Sequence, residues 1–336
     1  MTGIAGTGLG LGAGVFAWAL IEAAWIHRIR SHEIRLTAKG NVEADGESAS
    51  EGKEAPKHLT VLHLSDLHLL PSQIARQRFV RALARRVRPD LVVFTGDAMA
   101  SPLAVPAVLG ALGELLDIPG VFVFGSNDYF GPRPRNPLQY MWRSSTPRSS
   151  EYVRLPAADL AAALRERGWL DLRNTRGTLT AAGLELSFVG VDDPHIERDH
   201  YPADDGVRGD LHIGVAHAPY SRVLDAFHDE GCAVGFFGHT HGGQVRVPLY
   251  GALVTNCDLP TWRASGLQGW PGLRPDGRSV EPRPFLAPVP DSLPDDGGPP
   301  MWVNISAGLG TSPYAPIRFA CPPEVSVLRF AHSTDF

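Results

Sequence analysis

The chain has few cysteines and no run of basic residues. Its three cysteines, Cys232, Cys257 and Cys321, lie far apart, and none forms a C-x-x-C pair. This spacing argues against a disulfide framework and against a structural zinc site. The net charge is −5 and the sequence has no long basic stripe, which disfavours binding along a nucleic-acid backbone. We therefore expect no nucleic-acid partner, and a nuclease is the least favoured function. The sequence does not indicate an oligomeric state.

Polar residues that bind metals follow five apolar runs of the sequence. The runs cover residues 59–64, 91–95, 121–124, 211–215 and 233–237, and each predicts a buried strand. Open α/β sheets bind ligands at the carboxyl ends of their strands, so side chains that follow different strands would meet in one crevice. The polar residues after the five runs are Asp66, His68, Asp97, Asn127, His217, His239 and His241.

The chemistry of this set favours divalent metals. Mixed imidazole and carboxylate ligands suit Mn, Fe or Zn. Seven ligands are too many for one tetrahedral site but suit two ions that share a bridging carboxylate. A pair of ions clamps the attacking and leaving oxygens of an in-line displacement, and a water that bridges them would be a nucleophile at neutral pH. Hydrolysis of a phosphate ester or anhydride fits this inventory best.

The same blocks, in the same order, resemble the calcineurin-like metallophosphoesterases. They read SDLH (65–68), TGDAMA (95–100), GSND (125–128), AHAP (216–219) and GHTHGGQ (238–244). Residues 308–319 and 322–325 are similar to the membrane-associated bacterial branch, and the resemblance spans residues 58–330. It implies a first metal held by Asp66, His68, Asp97 and His241, with Asp97 bridging. Asn127, His217 and His239 would complete the second.

The GSND block departs from the family pattern. The family reads Gly-Asn-His, where Asn is a ligand and His protonates the leaving group. Without a gap, Ser126 falls on the ligand position and Asn127 on the acid position. We favour Asn127 as the ligand, because an amide oxygen binds metal better than a neutral hydroxyl. His195 or Asp193 is a candidate substitute acid, although their run also fits a turn stabilised by Asp side chains. The catalytic candidates are Asp97, Asn127 and His195.

Two interruptions of the core suggest substrate contacts. Residues 131–155 contain five arginines, including Arg133 and Arg135. They would either recognise an anionic head group or form a solvated loop. Arg318 would pair with phosphate, support a ligand carboxylate or lie at the surface. Residues 255–300, rich in Pro and Gly, predict an irregular loop that could form part of a lid.

The N-terminus predicts a membrane anchor over residues 1–27. Residues 3–21 carry no charge, close to the length of about 20 residues that spans a bilayer. The alternative is a flexible Gly-rich leader. Arg28, Arg30, Arg35 and Lys39 follow, so the positive-inside rule would place the catalytic domain on the cytoplasmic side of the cell membrane. Residues 28–57 would be a juxtamembrane segment and flexible tether, and residues 58–331 the catalytic domain.

Predicted helices alternate with the predicted strands along the sequence. Helical periodicity covers residues 74–87, 105–116, 157–167 and 221–229. With the strands, it predicts an α/β fold of α+β layers, in which helices flank two packed mixed sheets. We expect a metal-dependent hydrolase of a phosphodiester or pyrophosphate, from a membrane-derived or nucleotide-linked substrate. The alternative is a catalytically weak metal-binding scaffold of the same fold.

Overall fold

A computed structural model describes residues 2–36, 57–134, 152–281, 286 and 299–332 of the chain. Within these ranges it describes the side chains from residue 13 onward, other than those of residues 36, 57 and 332. Residues 135–151 of the predicted basic loop, Arg135 included, lie outside the described residues, as do residues 37–56, which contain most of the predicted tether.

The first sheet has six strands in the order β1-β14-β2-β3-β4-β5. Strands β2 to β5 run parallel to one another, and β14 runs antiparallel to β2 and parallel to β1. The strands are β1 (Arg28–Leu36), β2 (Lys57–Leu64), β3 (Leu91–Phe94), β4 (Gly120–Phe122), β5 (Leu170–Asp171) and β14 (Glu324–His332).

The second sheet also has six strands, in the order β12-β13-β9-β8-β7-β6, with both parallel and antiparallel pairs. Its strands are β6 (Thr175–Ala181), β7 (Leu184–Gly190), β8 (Leu211–Val215), β9 (Val234–Phe237), β12 (Gly266–Trp270) and β13 (Met301–Ile305). A small hairpin of β10 (Arg246–Val247) and β11 (Gly251–Ala252) stands apart from both sheets.

Helices α2 (Ile74–Val87), α3 (Val105–Leu112) and α5 (Ala157–Glu166) cover the outer face of the first sheet, and α6 (Ser221–Asp229) covers that of the second. Helix α1 (Thr2–Trp25) precedes β1, and the short helix α4 (Ser126–Tyr129) follows β4. Helix α2 buries Val80 and Leu83 against the first sheet and turns most of its arginines outward. Helix α6 buries Leu224 and Phe227 against the second. This amphipathic pattern explains why these segments form helices on the sheet faces.

A separate apolar layer joins the sheets to each other. Its side chains come from both inner faces, and they include Leu59, Val61, Val93, Ile213, Val215, Phe236 and Leu328. The predicted fold of two packed mixed sheets flanked by helices is therefore confirmed. Because β2, β3, β8 and β9 lie near the middle of their sheets, their carboxyl ends meet across this apolar layer.

The N-terminal part of the chain differs from its prediction. Residues 28–36 form β1, which pairs along its whole length with β14. This segment is therefore a strand of the first sheet, hydrogen-bonded through β14 to the domain that was predicted to begin at residue 58. Across the side chains described, no helix combines the length and apolarity that a membrane crossing requires. The predicted anchor over residues 1–27 is thus not supported.

The described part of the Pro/Gly-rich loop, residues 255–281, 286, 299 and 300, contains more regular structure than predicted. It contains β12, which pairs with β13 and extends the second sheet. The guanidinium of Arg263 is buried beside this strand and donates to Gln268 Oε1 and to the carbonyl of Gly269, at 2.9 and 2.8 Å. Composition alone did not reveal the strand because its apolar partners lie in β13.

Candidate metal centre

The four ligands predicted for the first metal meet where strands of both sheets end, and we call them the first ligand group. Asp66 and His68 follow β2, Asp97 follows β3, and His241 follows β9. Each offers one ligand atom, and these four atoms all lie within 4.8 Å of one another. His68 Nε2 lies 3.1 Å from His241 Nε2 and 3.4 Å from Asp97 Oδ2. His241 Nε2 lies 3.4 Å from Asp66 Oδ1. This is a carboxylate and imidazole cluster of the size of a metal site.

The backbone at the strand ends is unusual. Five residues have left-handed backbone conformations that non-glycine residues seldom adopt, and they are Asp66 (φ 52°), His68 (φ 41°), Asp97 (φ 54°), His239 (φ 69°) and His241 (φ 49°). Strain of this kind gathers at functional sites. Gly238 shows how closely the segments approach, because a Cβ at this position would lie 1.8 Å from Ser65 Oγ.

Two buried atoms face the centre of the cluster without a hydrogen-bond partner among the described residues, Asp66 Oδ1 and His217 Nε2. The other oxygen of Asp66 accepts from Ser65 Oγ at 2.5 Å and from the backbone N–H of His239 at 3.1 Å. An unpaired buried polar group costs about 1–3 kcal/mol. Cations at the first and second predicted positions would satisfy Asp66 Oδ1 and His217 Nε2 respectively, so the residues present fit bound metal.

Main-chain carbonyls set the tautomers of two imidazoles. His217 donates from Nδ1 to Thr95 O at 2.6 Å, and His239 donates from Nε2 to the carbonyl of Asn256 at 3.1 Å. A metal-binding imidazole commonly donates its other N–H in this way. In the neutral imidazoles, Nε2 of His217 and Nδ1 of His239 then carry no proton. His241 Nδ1 lies 3.2 Å from Gly310 O and 3.3 Å from Arg318 Nη2, and both groups hold its ring.

The remaining predicted ligands, Asn127, His217 and His239, lie beside this cluster, and we call them the second ligand group. The rings of His217 and His239 are 5.3 Å apart between centroids. Asn127, on α4, donates from its backbone N–H to Asp97 Oδ1 and from its side-chain Nδ2 to Asp97 Oδ2, both at 2.8 Å. The Ser126 hydroxyl contacts the Asn127 amide instead, at 3.4 Å. Of these two residues it is Asn127 that contacts the carboxylate predicted to bridge, while its role as a ligand stays a prediction.

Asp128 is a site residue to which sequence reasoning gave no role. It is fully buried, and its carboxylate accepts from the backbone N–H groups of Asp97, Ala98 and Gly125 at 2.7, 2.8 and 3.0 Å. Burial, with the nearby Asp97, raises its pKa to about 7. Asp128 thus ties the loop after β3 to the start of α4. An Asp three residues after a glycine that begins a helix could have signalled this cap.

His195, the candidate acid, packs beside the second ligand group. Its ring centroid lies 4.4 Å from that of His239, and its Nδ1 lies 3.0 Å from Tyr220 Oη. Asp193 is fully buried and accepts from the backbone N–H of His195 at 2.9 Å. Burial, reinforced by the charge of His217, lowers the pKa of His195 to about 4. Proton donation by His195 stays a prediction.

The substrate-binding prediction for Arg318 disagrees with its placement. Arg318 is 0% exposed, and its guanidinium donates to the carbonyls of Ala307, Gly310 and Cys321 at 2.6, 2.8 and 3.2 Å. A side chain enclosed by main chain cannot reach a substrate, so Arg318 supports the ligand loops instead. Arg133 lies over the ring of Tyr152, with 5.1 Å from its Cζ to the ring centroid.

Burial and mutual charge govern the electrostatics of the cluster. Burial raises the pKa of Asp66 to about 6 and lowers that of His68 to about 4. Burial also lowers the pKa values of His239 and His241 well below the usual range. The pKa of Asp97 is well below its usual range, because His217 and His68 outweigh the opposing effect of burial. The neutral imidazoles of His68, His239 and His241 beside the ionised Asp97 are in the protonation states that metal binding needs.

Known proteins agree with this description. The family model for calcineurin-like phosphoesterases matches residues 59–243. The uncharacterized protein YpbG of Bacillus subtilis (strain 168) is 27% identical over 64% of this chain and 73% of its own length. The uncharacterized metallophosphoesterase YkuE of the same organism is 24% identical over 79% of this chain and 74% of its own length. The solved structure of Haemophilus influenzae NAD nucleotidase (NadN) aligns with a TM-score of 0.38 at 12% identity, covering 76% of this chain and 46% of that one.

Proposed function

Because this chain belongs to the calcineurin-like phosphoesterase family, we propose that it hydrolyses a phosphodiester or a pyrophosphate with two divalent metal ions. As a member of this family it is a phosphoric ester hydrolase, and its Asp and His cluster suits divalent metal. The observation that carries the proposal is the pair of facing nitrogens, His68 Nε2 and His241 Nε2, 3.1 Å apart, beside Asp66 Oδ1, which has no hydrogen-bond partner among the described residues and lies 3.4 Å from His241 Nε2.

The protein's own groups prepare the site for cations. Asp97 presents a carboxylate between the two ligand groups, and Asn127 holds both of its oxygens in place. Asp128 fixes the backbone of Asp97 from behind. When bound, two divalent ions supply Lewis-acid charge and a nucleophile at neutral pH. We assign Mn, Fe or Zn to the site, since this ligand chemistry suits each of them.

The GSND block supports the choice of substrate. General acid catalysis contributes about 10²–10⁴-fold where a leaving group needs a proton. With Asn127 as the ligand, the family's imidazole has no counterpart in this block, and an amide cannot protonate an alkoxide. A pyrophosphate or aryl ester leaves without that proton. We therefore propose a pyrophosphate, or a diester with an acidic leaving group, in a nucleotide-linked or membrane-derived molecule.

The test is a substrate panel on full-length protein loaded with Mn, Fe or Zn. The panel contains an aryl phosphodiester, an aryl monoester, an alkyl diester and a nucleotide-sugar pyrophosphate. We expect the aryl diester and the pyrophosphate to be cleaved far faster than the alkyl diester. The Asp97→Asn variant is the matched control for contaminating hydrolases. Equal rates on alkyl and aryl diesters would reject the leaving-group argument, and turnover without bound metal would reject the metal mechanism.

A further inference from the structure

The N-terminal helix packs against the segment that supports the first ligand group. Ala19 and Ala23 of α1 are buried, and Glu22 between them is 4% exposed. The carboxylate of Glu22 accepts from the backbone N–H groups of Cys321 and Ala320 at 2.6 and 3.2 Å. Two charge-assisted hydrogen bonds from consecutive main-chain groups hold that segment in one position.

A second contact joins the helix to the same segment. The backbone N–H of Arg318 donates to the carbonyl of Ala19 at 3.0 Å. The indole of Trp18 donates to Glu22 Oε2 at 2.9 Å and fixes the carboxylate from the helix side. Residues 318–321 are therefore held by α1 at both ends. In turn, the strand that follows, β14, pairs with β1, which continues directly from the helix.

The segment reaches the ligands through Arg318 and Cys321. The guanidinium of Arg318 donates to Gly310 O at 2.8 Å, and His241 Nδ1 lies 3.2 Å from the same oxygen and 3.3 Å from Arg318 Nη2. The Cys321 thiol donates to the carbonyl of His241 at 3.4 Å. The backbone N–H of Gly310 donates to the carbonyl of Asp66 at 2.6 Å. Two ligands of the first group, Asp66 and His241, thus depend on the position of residues 308–321.

We propose that Glu22 is a positioning residue for the metal centre. It fixes Ala320 and Cys321, these fix the guanidinium of Arg318, and Arg318 with Gly310 O fixes the position of the His241 ring. The inference rests on the proposed metal centre but not on the proposed substrate. Its consequence is that a residue of the N-terminal helix, outside the catalytic motifs, controls the affinity of the first metal.

The test measures metal binding rather than turnover. Full-length protein would carry Glu22→Gln, which keeps one acceptor oxygen and replaces the other with an amide donor. The matched control is Glu230→Gln, because Glu230 is similarly buried, with 7% of its side chain exposed, and binds Arg176 and His212 in a separate network. Isothermal titration with zinc gives the affinity, and the visible absorption of the Co²⁺-loaded protein reports ligand geometry at His241.

We expect Glu22→Gln to weaken the tightest metal site by about 10-fold or more and to change the Co²⁺ spectrum, as loss of an outer-shell partner does. Glu230→Gln should lower Tm while leaving affinity and spectrum unchanged. An affinity and spectrum equal to the parent's in Glu22→Gln, with only Tm reduced, would overturn the proposal.

A second variant serves if Glu22→Gln fails to fold. Cys321→Ala removes only the thiol that donates to the His241 carbonyl. It should alter the Co²⁺ spectrum in the same direction by a smaller amount, and an unchanged spectrum would overturn the proposal. Zinc titration of the parent separates the two levels of inference. A parent that binds no metal overturns the proposed function, whereas a parent that binds metal with the same affinity as Glu22→Gln overturns only the role of Glu22.

Discussion

Two buried histidines lie at opposite ends of one strand and have different surroundings. His212 is near the start of β8, and both of its nitrogens have partners: Nδ1 lies 2.8 Å from Ser187 Oγ and Nε2 lies 2.8 Å from Glu230 Oε1. His217 lies two residues beyond the end of β8. Its Nδ1 donates to Thr95 O, but its Nε2 has no hydrogen-bond partner in the described part of the chain.

The difference separates a structural histidine from a candidate ligand. Burial lowers the pKa of His212 and keeps it neutral within a satisfied network. Burial also opposes a charge on His217, but the carboxylates of Asp97, Asp193 and Asp66 outweigh it and raise its pKa well above the usual range. These three carboxylates therefore place more negative charge at the carboxyl end of β8 than the hydrogen bonds there neutralise. His212 and His217 are the same residue type and are both buried. They differ in the number of ring nitrogens that have a hydrogen-bond partner.

The largest expected effect comes from removing the shared charge. Asp97→Asn should lose most of the bound metal and lower turnover by several orders of magnitude, because this carboxylate lies between both ligand groups. Elemental analysis of the purified variant, with turnover of the aryl diester, measures both. A variant that keeps two ions and full activity would remove the distinction between the two ends of β8.

A paired substitution of the two histidines tests the comparison directly. His217→Ala should lower the metal content with a small change in Tm. His212→Ala should keep the metal and cost about 1–3 kcal/mol of unfolding free energy, because Ser187 and Glu230 would lose a buried partner. Denaturant unfolding gives the unfolding free energy of each variant, and elemental analysis gives its metal content. The opposite pattern would mean that partner count does not identify the ligand.

A smaller effect on metal affinity should follow from substitutions that test how the GSND block aligns with its family. Asn127→Ala should weaken one bound ion by about 10–100-fold, since Asn127 contacts both oxygens of Asp97. Ser126→Ala should change the affinity little, because its hydroxyl contacts the Asn127 amide. Zinc titration of the two variants decides between them. If Ser126→Ala empties the site and Asn127→Ala does not, the block aligns with its family without a gap.

The smallest effect is a pH dependence of metal affinity. Burial raises the pKa of Asp66 from 3.8 to about 6, so between these values the folded apo protein holds a proton that the unfolded chain has lost. This carboxyl therefore stabilises the fold less as pH rises from about 4 to 6, whereas metal binding requires the ionised form. Affinity should fall about tenfold per pH unit below pH 6. A constant affinity from pH 7.5 to 5 in competition titrations would contradict this.

Local patterns in the sequence predicted much of the fold and the grouping of the site. The periodicity of residues 74–87 and 221–229 gave α2 and α6 with their observed bounds, because each helix buries one apolar face. The strand-end polar residues were grouped correctly, since parallel strands bring their carboxyl ends together. These predictions depend on neighbours within a few residues, where sequence carries direct information.

Contacts between distant parts of the chain were not predictable in this way. Arg318 had the sequence appearance of a phosphate ligand, and only its enclosure by the carbonyls of Ala307, Gly310 and Cys321 reveals its supporting role. The edge strand β1 was assigned to a juxtamembrane segment outside the catalytic domain because its partner, β14, is almost 300 residues away in the sequence. Glu22 follows an uncharged stretch, with no sign in the sequence of what its carboxylate binds.

The position of β14 between β1 and β2 determines when the first sheet can form during synthesis of the chain. Arg30 pairs with Glu324, 294 residues later, and β1 and β2 are both hydrogen-bonded to β14 rather than to each other. On the ribosome, β1 and β2 are made before β14, and each keeps an open edge until β14 emerges. Such edges favour aggregation. A chain that stops before residue 324 would leave β1 without a partner strand and β2 paired only with β3, so the first sheet can be completed only after β14 has been made.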